Sequence, residues 1–235
     1  YFFVIFLNKK SSMATKKISS KKTSVIDADQ IISAYMEDVL NNEKKPVTVY
    51  GFCKTHDFEE VSFYQFFGNI EALEKGVWEA FFSQTMRLLQ KNPDFASTSS
   101  REKMLGFFFS FFELLTLNRS YVLFTLKSDK NMLHSLMALS GLRNHFKSFT
   151  KDLIDLDNSS AQSKLTQFQP TVFSEAAWVQ LLFTIKFWMD DNSPGFEKTD
   201  ILIEKSINTV FEVFNNTPLE QVFDLGKFLF KERMA

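Results

Sequence analysis

Glycine and proline are scarce, 7 and 5 in 235 residues, and most of the prolines precede long amphipathic stretches rather than alternating strands. That argues against a sheet of short hairpins and for helices throughout. Cysteine is nearly absent as well. Cys53 alone cannot close an internal disulfide, which excludes a disulfide scaffold and fits a reducing cytoplasm, the expected location. Neither charge sign is in excess. The formal net charge is -1, so attraction to nucleic acid or membrane has to come from a local patch. A long apolar run is missing too. Tyr1 to Leu7, YFFVIFL, falls far short of the roughly 20 residues a membrane span needs, and no positive region precedes it as in a signal peptide. Met13 opens a natural-looking MATKK, and Tyr1 to Ser12 are expected to be non-native.

Hydrophobic residues make up 45% of the chain, enough to bury a substantial core. From Lys9 to Lys22 there are six lysines and no acidic residue, so residues 1–23 read as a solvated arm. Helical spacing begins near Ser24 and continues through Ile31, Ile32, Tyr35, Val39 and Leu40. Thr48 can cap a short helix carrying Val49, Phe52 and Cys53, and His56-Asp57 interrupts it, with His56 read as a solvated turn residue. A second short helix is predicted over 59–67. Gly68-Asn69 then leads into a long helix, 70–90, with Leu73, Val77, Phe81 and Leu88 on its inner face. Two short helices between longer ones form a helix-turn-helix candidate.

Asn92 to Ser100 is polar and holds a proline, which sets a domain boundary between residues 24–91 and 99–233. Ser99 with Glu102 is a capping box for a helix through Leu117. Further helices are predicted over about 119–128, 131–156, 172–191, 196–214 and 218–232.

Thr48 to Leu73, TVYGFCKTHDFEEVSFYQFFGNIEAL, resembles without gaps the helix-turn-helix of the TetR family, close to TVRDIAKEAGVSKGTLYHYFPSKEAL. Thr48, Val49, Lys54, Tyr64, Phe67, Glu71, Ala72 and Leu73 match, with Phe63 and Phe66 as aromatic stand-ins. The resemblance implies an all-α, TetR-like protein, with a three-helix DNA-binding domain followed by a larger helical domain for ligand binding and dimerisation. It implies a recognition helix at 59–65, with Thr48 and Tyr64 near phosphates, so that Thr48, Glu59, Glu60, Ser62, Tyr64 and Gln65 form the DNA-binding set.

Several residues depart from the family pattern. Glu59 and Glu60 replace Ser and a basic residue, Val61 replaces glycine, and Ile70 replaces lysine. Ser24 to Phe82 carries 11 acidic residues against 4 lysines, whereas affinity for DNA rests on neutralising phosphates. Two functions follow: a homodimeric transcriptional regulator whose ligand is hydrophobic, or a TetR-fold lipid- or quinone-binding accessory protein that has lost DNA binding, as in coenzyme Q biosynthesis.

Phenylalanine accounts for 29 residues, and Phe107, Phe108, Phe109, Phe111 and Phe112 nearly encircle one helix, which must be buried on several sides or line a cavity. Phe108, Phe111, Phe112, Phe124, His134 and Trp178 are the candidate lining of an apolar pocket for a small molecule or lipid; ordinary aromatic core is the competing reading. Near the C-terminus, Leu181, Ile185, Trp188, Ile203, Ile207 and Phe211 are the candidate dimer face, because TetR-like proteins pair through two such helices.

Catalytic signatures are missing. No phosphate-binding glycine loop, HExxH or nucleophile elbow occurs, so neither an enzyme nor a cofactor is expected. His134 and His145 would lie about 16 Å apart along a helix, too far to share a metal. Asp190-Asp191 reads as a solvated junction at a helix end. The amphipathic stretch from Leu219 to Phe230 is expected to pack on its own domain, with a membrane surface as the alternative partner.

Overall fold

The computed structural model describes residues 26–127, 137–159 and 170–216. Among these residues there are nine α-helices and no strand, as the scarcity of turn residues implies. They are α1 (Ala28–Asn42), α2 (Val49–Thr55), α3 (Glu60–Tyr64), α4 (Ile70–Gln90), α5 (Ser100–Leu117), α6 (Arg119–Lys127), α7 (Ser140–Ser159), α8 (Pro170–Asp190) and α9 (Glu197–Asn216). Residues 131–136 of the helix predicted over 131–156, the helix predicted over 218–232 and the arm at 1–23 lie outside the described residues.

Four helix starts are fixed by side chains that take up backbone N–H groups lacking an intrahelical partner. Asp27 Oδ1 accepts from the Gln30 N–H at 2.8 Å, and Gln30 Oε1 accepts from the Asp27 N–H at 3.1 Å, so α1 opens on a reciprocal cap. Thr48 Oγ1 accepts from the Gly51 N–H at 3.0 Å to start α2. Asn69 Oδ1 does the same for Ala72 at the start of α4, at 2.7 Å. At α5, Ser99 and Glu102 form the box read from the sequence, with Ser99 N donating to Glu102 Oε2 at 2.9 Å and Glu102 N donating to Ser99 Oγ at 3.3 Å. Helix α3 is shorter than the predicted 59–67. The Phe63 carbonyl accepts from both Phe66 N and Phe67 N at 3.0 Å, which tightens the turn and ends the regular ladder.

The structure divides into two compact units, and not at the polar stretch 92–100. The first takes the described residues up to Gln84 together with those from Phe111 to Leu142; the second takes Thr85–Ser110 and the described residues from Arg143 onward. Helices α4, α5 and α7 therefore each contribute to both units.

In the first unit α1 packs on α6, and α2 on α3. Tyr35 of α1 is the hub: its ring meets Phe52 of α2 and Tyr121 of α6 edge-on, each at 6.3 Å between centroids. Phe52 in turn meets Phe63 at 6.1 Å, and all four rings are buried. Edge-to-face pairs of this kind add roughly 0.5–1.5 kcal/mol beyond the burial of their area. Leu73, Val77 and Phe81 of α4 face inward as predicted, but Leu88 is exposed. The helix is 21 residues long and changes unit after Gln84, so one inner stripe does not serve its whole length.

The second unit is built on Phe146, whose ring lies 5.1 Å from Phe107, 6.0 Å from Phe108 and 6.4 Å from Trp178. Helices α8 and α9 pair through the Phe173–Phe211 contact at 5.9 Å and a hydrogen bond from Gln180 Nε2 to Ser206 Oγ at 3.0 Å.

Asp191 is buried, not solvated as its position at a helix end suggested. Its Oδ1 accepts from Ser193 N at 2.8 Å and Ser193 Oγ at 2.7 Å, and its Oδ2 accepts from Thr199 N at 3.0 Å and Thr199 Oγ1 at 2.7 Å. Burial pushes this carboxyl up, but the bonds from Ser193 and Thr199 outweigh it and hold the pKa at about 2. Asp191 thus ties the end of α8 to the first turn of α9. Because the folded value is depressed, its contribution is complete above the ordinary carboxylate range and is lost as pH falls toward about 2. Asp191→Ala is expected to cost about 2 kcal/mol in urea unfolding at neutral pH, and the gap between native and variant should close in acid. A gap unchanged between pH 5 and pH 2.5 would rule out this role.

Candidate functional site

The helix-turn-helix lies in the first unit. Helix α2 buries Val49, Phe52 and Cys53, and α3 buries Phe63, which leaves the opposite faces of both in solvent. Burial, and then Glu60, push the Cys53 thiol up, which suits a core residue rather than a redox centre. The link between the helices turns at Asp57, at a left-handed φ of 56°, and closes with Phe58 N donating to Cys53 O at 2.8 Å. His56 is half-buried here, where a solvated position was expected. It packs on Phe52 at 4.8 Å, with Nε2 3.4 Å from Asp38 Oδ1.

Of the predicted DNA-contact residues, Thr48, Glu59, Tyr64 and Gln65 are exposed, and Glu60 and Ser62 are half-buried. The Thr48 hydroxyl oxygen accepts from the Gly51 N–H. Around them the surface is apolar and acidic: Val61 is 71% exposed, and Val47, Tyr50 and Phe66 are also exposed. Lys54 sits 5.8 Å over the Tyr50 ring, and Lys45 reaches away to Glu74 of α4, with Nζ 2.7 Å from Oε1.

The predicted pocket residues are divided between the two units. Phe108 and Trp178 belong to the second unit, Phe111, Phe112 and Phe124 to the first, and His134 lies outside the described residues. Phe108, Phe111, Phe112 and Trp178 are buried, and of the five phenylalanines that encircle α5 only Phe109 is exposed. Phe124 lines an open, shallow groove with Leu40, Glu43, Ser120, Leu123 and Lys127.

The predicted dimer face needs correction. Leu181, Ile185, Trp188, Ile203, Ile207 and Phe211 are all buried within the single chain, because α8 and α9 spend those faces on their own unit. The same helices leave Val179 63%, Phe183 59% and Ile201 50% exposed. Val179 and Phe183, one helical turn apart, share a stripe. On the flank of the unit, Glu175 of α8 pairs with Arg143 at 2.8 Å and with Lys147 of α7.

Among the described residues no group of three His, Cys, Asp or Glu side chains is placed to hold a metal, and no helix is long and apolar enough to cross a membrane.

Comparison with known proteins decides the family. A model of the tetracyclin repressor-like C-terminal domain matches residues 103–229, more than half of the chain. The chain belongs to the TetR family. Two solved structures share the TetR fold with it. One is a protein described as a TetR-family transcriptional regulator from Syntrophomonas wolfei str. Goettingen, with a TM-score of 0.61 at 11% identity over 78% of this chain and 93% of that one. The other is the fatty acid degradation regulator FadR from Bacillus halodurans, with a TM-score of 0.55 at 12% identity over 86% of this chain and 98% of that one. No curated protein matches the chain in sequence.

The TetR helix-turn-helix was legible from residues 48–73 alone. Sequence reasoning missed the Asp191 tie, the Lys45–Glu74 pair and the seating of Tyr35 on Tyr121. Each joins residues from separate segments of the chain, and only the Asp-Asp doublet at 190–191 gave any hint.

Proposed function

We propose that this TetR-family protein is a cytoplasmic, homodimeric transcriptional regulator that reads DNA through α2 and α3, responds to a hydrophobic ligand and performs no catalysis. The observation that carries the reading is the helix-turn-helix itself: α2 capped by Thr48, a tight turn at Asp57, and a short α3 with Tyr64 and Gln65 turned to solvent. A helix-turn-helix that reads a two-fold site works as a dimer, and Val179, Phe183 and Ile201 offer an apolar surface for a second copy. Since one fold neighbour is named as a regulator of fatty acid degradation, long-chain acyl compounds are the first ligands to try, with the groove beside Phe124 as one place to look.

The test is electrophoretic mobility shift of the full chain on the DNA upstream of its own gene, at two salt concentrations. A specific, salt-sensitive shift that a long-chain acyl compound relieves is the expected result. No shift at low salt would overturn DNA binding and leave the lipid- or quinone-binding accessory protein, a reading that Glu59, Glu60 and the exposed Val61 favour.

A further inference from the structure

The helix-turn-helix carries an acidic and apolar surface, and the chain ahead of it is basic. Ser24 to Phe82 holds 11 acidic residues against 4 lysines, whereas Lys9 to Lys22 holds six lysines and no acid. On α3, Glu60, Val61 and Tyr64 lie away from the buried Phe63, and Glu59 stands just ahead of them. Val61 is 71% exposed and Tyr64 51%. Two of the four lysines are committed elsewhere: Lys45 pairs with Glu74, and Lys54 lies over the Tyr50 ring. Among the described residues no cation pairs with Asp57, Glu59 or Glu60. The basic segment is also close in the chain, since only Thr23, Ser24 and Val25 separate Lys22 from Ile26, the first described residue.

We propose that the lysine-rich segment Lys16 to Lys22 docks on the exposed face of α3 in its own chain, with its ammonium groups on Asp57, Glu59 and Glu60. The reach is sufficient. Tyr35, two turns into α1, meets Phe52 of α2, and Phe52 meets Phe63 of α3, at 6.3 Å and 6.1 Å between ring centroids. Ten residues of chain, from Lys16 to Val25, extend up to about 33–36 Å, and all of α1 is only roughly 22 Å long. The apolar part of the face suits lysine too: its methylene stem can cover Val61 while its ammonium sits over the Tyr64 ring. A single exposed ion pair contributes little. Several on one short tether act together, at an effective concentration on the order of millimolar. On the DNA-reading function proposed above, the segment covers the face that a major groove needs and is a built-in competitor of DNA. The docking itself does not depend on that reading.

Two measurements on the full chain, both without DNA, test the docking, so its failure leaves the DNA reading standing. The first is limited trypsin digestion, with cleavage after Lys16, Lys17, Lys21 and Lys22 followed by mass spectrometry and scaled to a free peptide of residues 13–25. At about 0.01 M salt, where charges act over roughly 30 Å, Glu59→Gln/Glu60→Gln should speed cleavage about fivefold over the native chain. At about 1 M salt, where the range is roughly 3 Å, the two should be cleaved alike. Equal rates at low salt would overturn the proposal. Neither glutamate is buried, and matching melting curves would show that the variant is folded. The second is carbodiimide crosslinking, which condenses a lysine amine and a touching carboxylate into an amide with loss of water. The expected product joins a lysine of 16–22 to Asp57, Glu59 or Glu60. Crosslinks only to acids elsewhere would overturn the placement. Mixed-isotope products from unlabelled and nitrogen-15-labelled protein refolded together would show that the segment reaches a second copy, and would overturn docking within one chain.

Discussion

Val179→Glu/Phe183→Glu is expected to give a folded monomer, with the dimer dissociation constant raised roughly 100-fold or more. Both side chains are exposed on the single chain, so the isolated protomer loses little when they change, whereas closing an interface over an unpaired carboxylate costs on the order of 3–5 kcal/mol. Sedimentation velocity would show the dissociation, and an unchanged melting curve at low protein concentration would show the intact fold. Leu181→Ala or Trp188→Ala should behave in the opposite way. Both residues are fully buried in their own unit, so either change costs roughly 2–5 kcal/mol of stability. A Val179→Glu/Phe183→Glu protein that stays dimeric would remove this face from consideration.

Glu59→Lys/Glu60→Lys is expected to tighten DNA binding on the order of 10- to 100-fold at low salt and to steepen the salt dependence by about two units of slope. The starting surface is unfavourable for a polyanion: Glu59 is exposed at the start of α3, Glu60 is half-exposed beside it, and Lys54 lies over the Tyr50 ring. Reversing both charges puts two cations where the resemblance to the TetR helix-turn-helix implies the major groove. If the variant gains more affinity for other sequences than for its own site, the native glutamates discriminate among sites, since a glutamate can accept from cytosine N4; an equal gain on every sequence would mean that they do not. If affinity does not change at all, α3 does not approach the nucleic acid, and the docking inferred from the TetR resemblance is wrong for this protein.

The sequence carried the local part of the fold well. Caps such as Ser99 with Glu102, the break at His56-Asp57 and the spacing of Tyr35 and Val39 depend on residues a few positions apart, and periodicity reports those. Where a helix is apolar nearly all round, periodicity is silent about which face is spent on its own core. Helix α8 carries Val179, Leu181, Phe183, Ile185 and Trp188 within ten residues, and nothing in that run marks Val179 and Phe183 as the exposed pair. The five phenylalanines of α5 raised the same difficulty and resolved into four core residues and the exposed Phe109. The pocket candidates were chosen for aromatic character alone, and the described ones fall in both units. Of the predicted set, only Phe124 borders the groove beside Leu40 and Lys127.

The placement of α6 bears on how such a protein can be taken apart or recombined. Because Tyr121 seats directly on Tyr35 and belongs to the same unit, cutting the chain at the polar stretch after Gln90 would strip the helix-turn-helix head of part of its own core. A transplant of residues 26–90 onto another effector domain would carry a bare Tyr35 surface with it. The exchangeable module is discontinuous, and a working chimera has to bring the α6 segment along with the head.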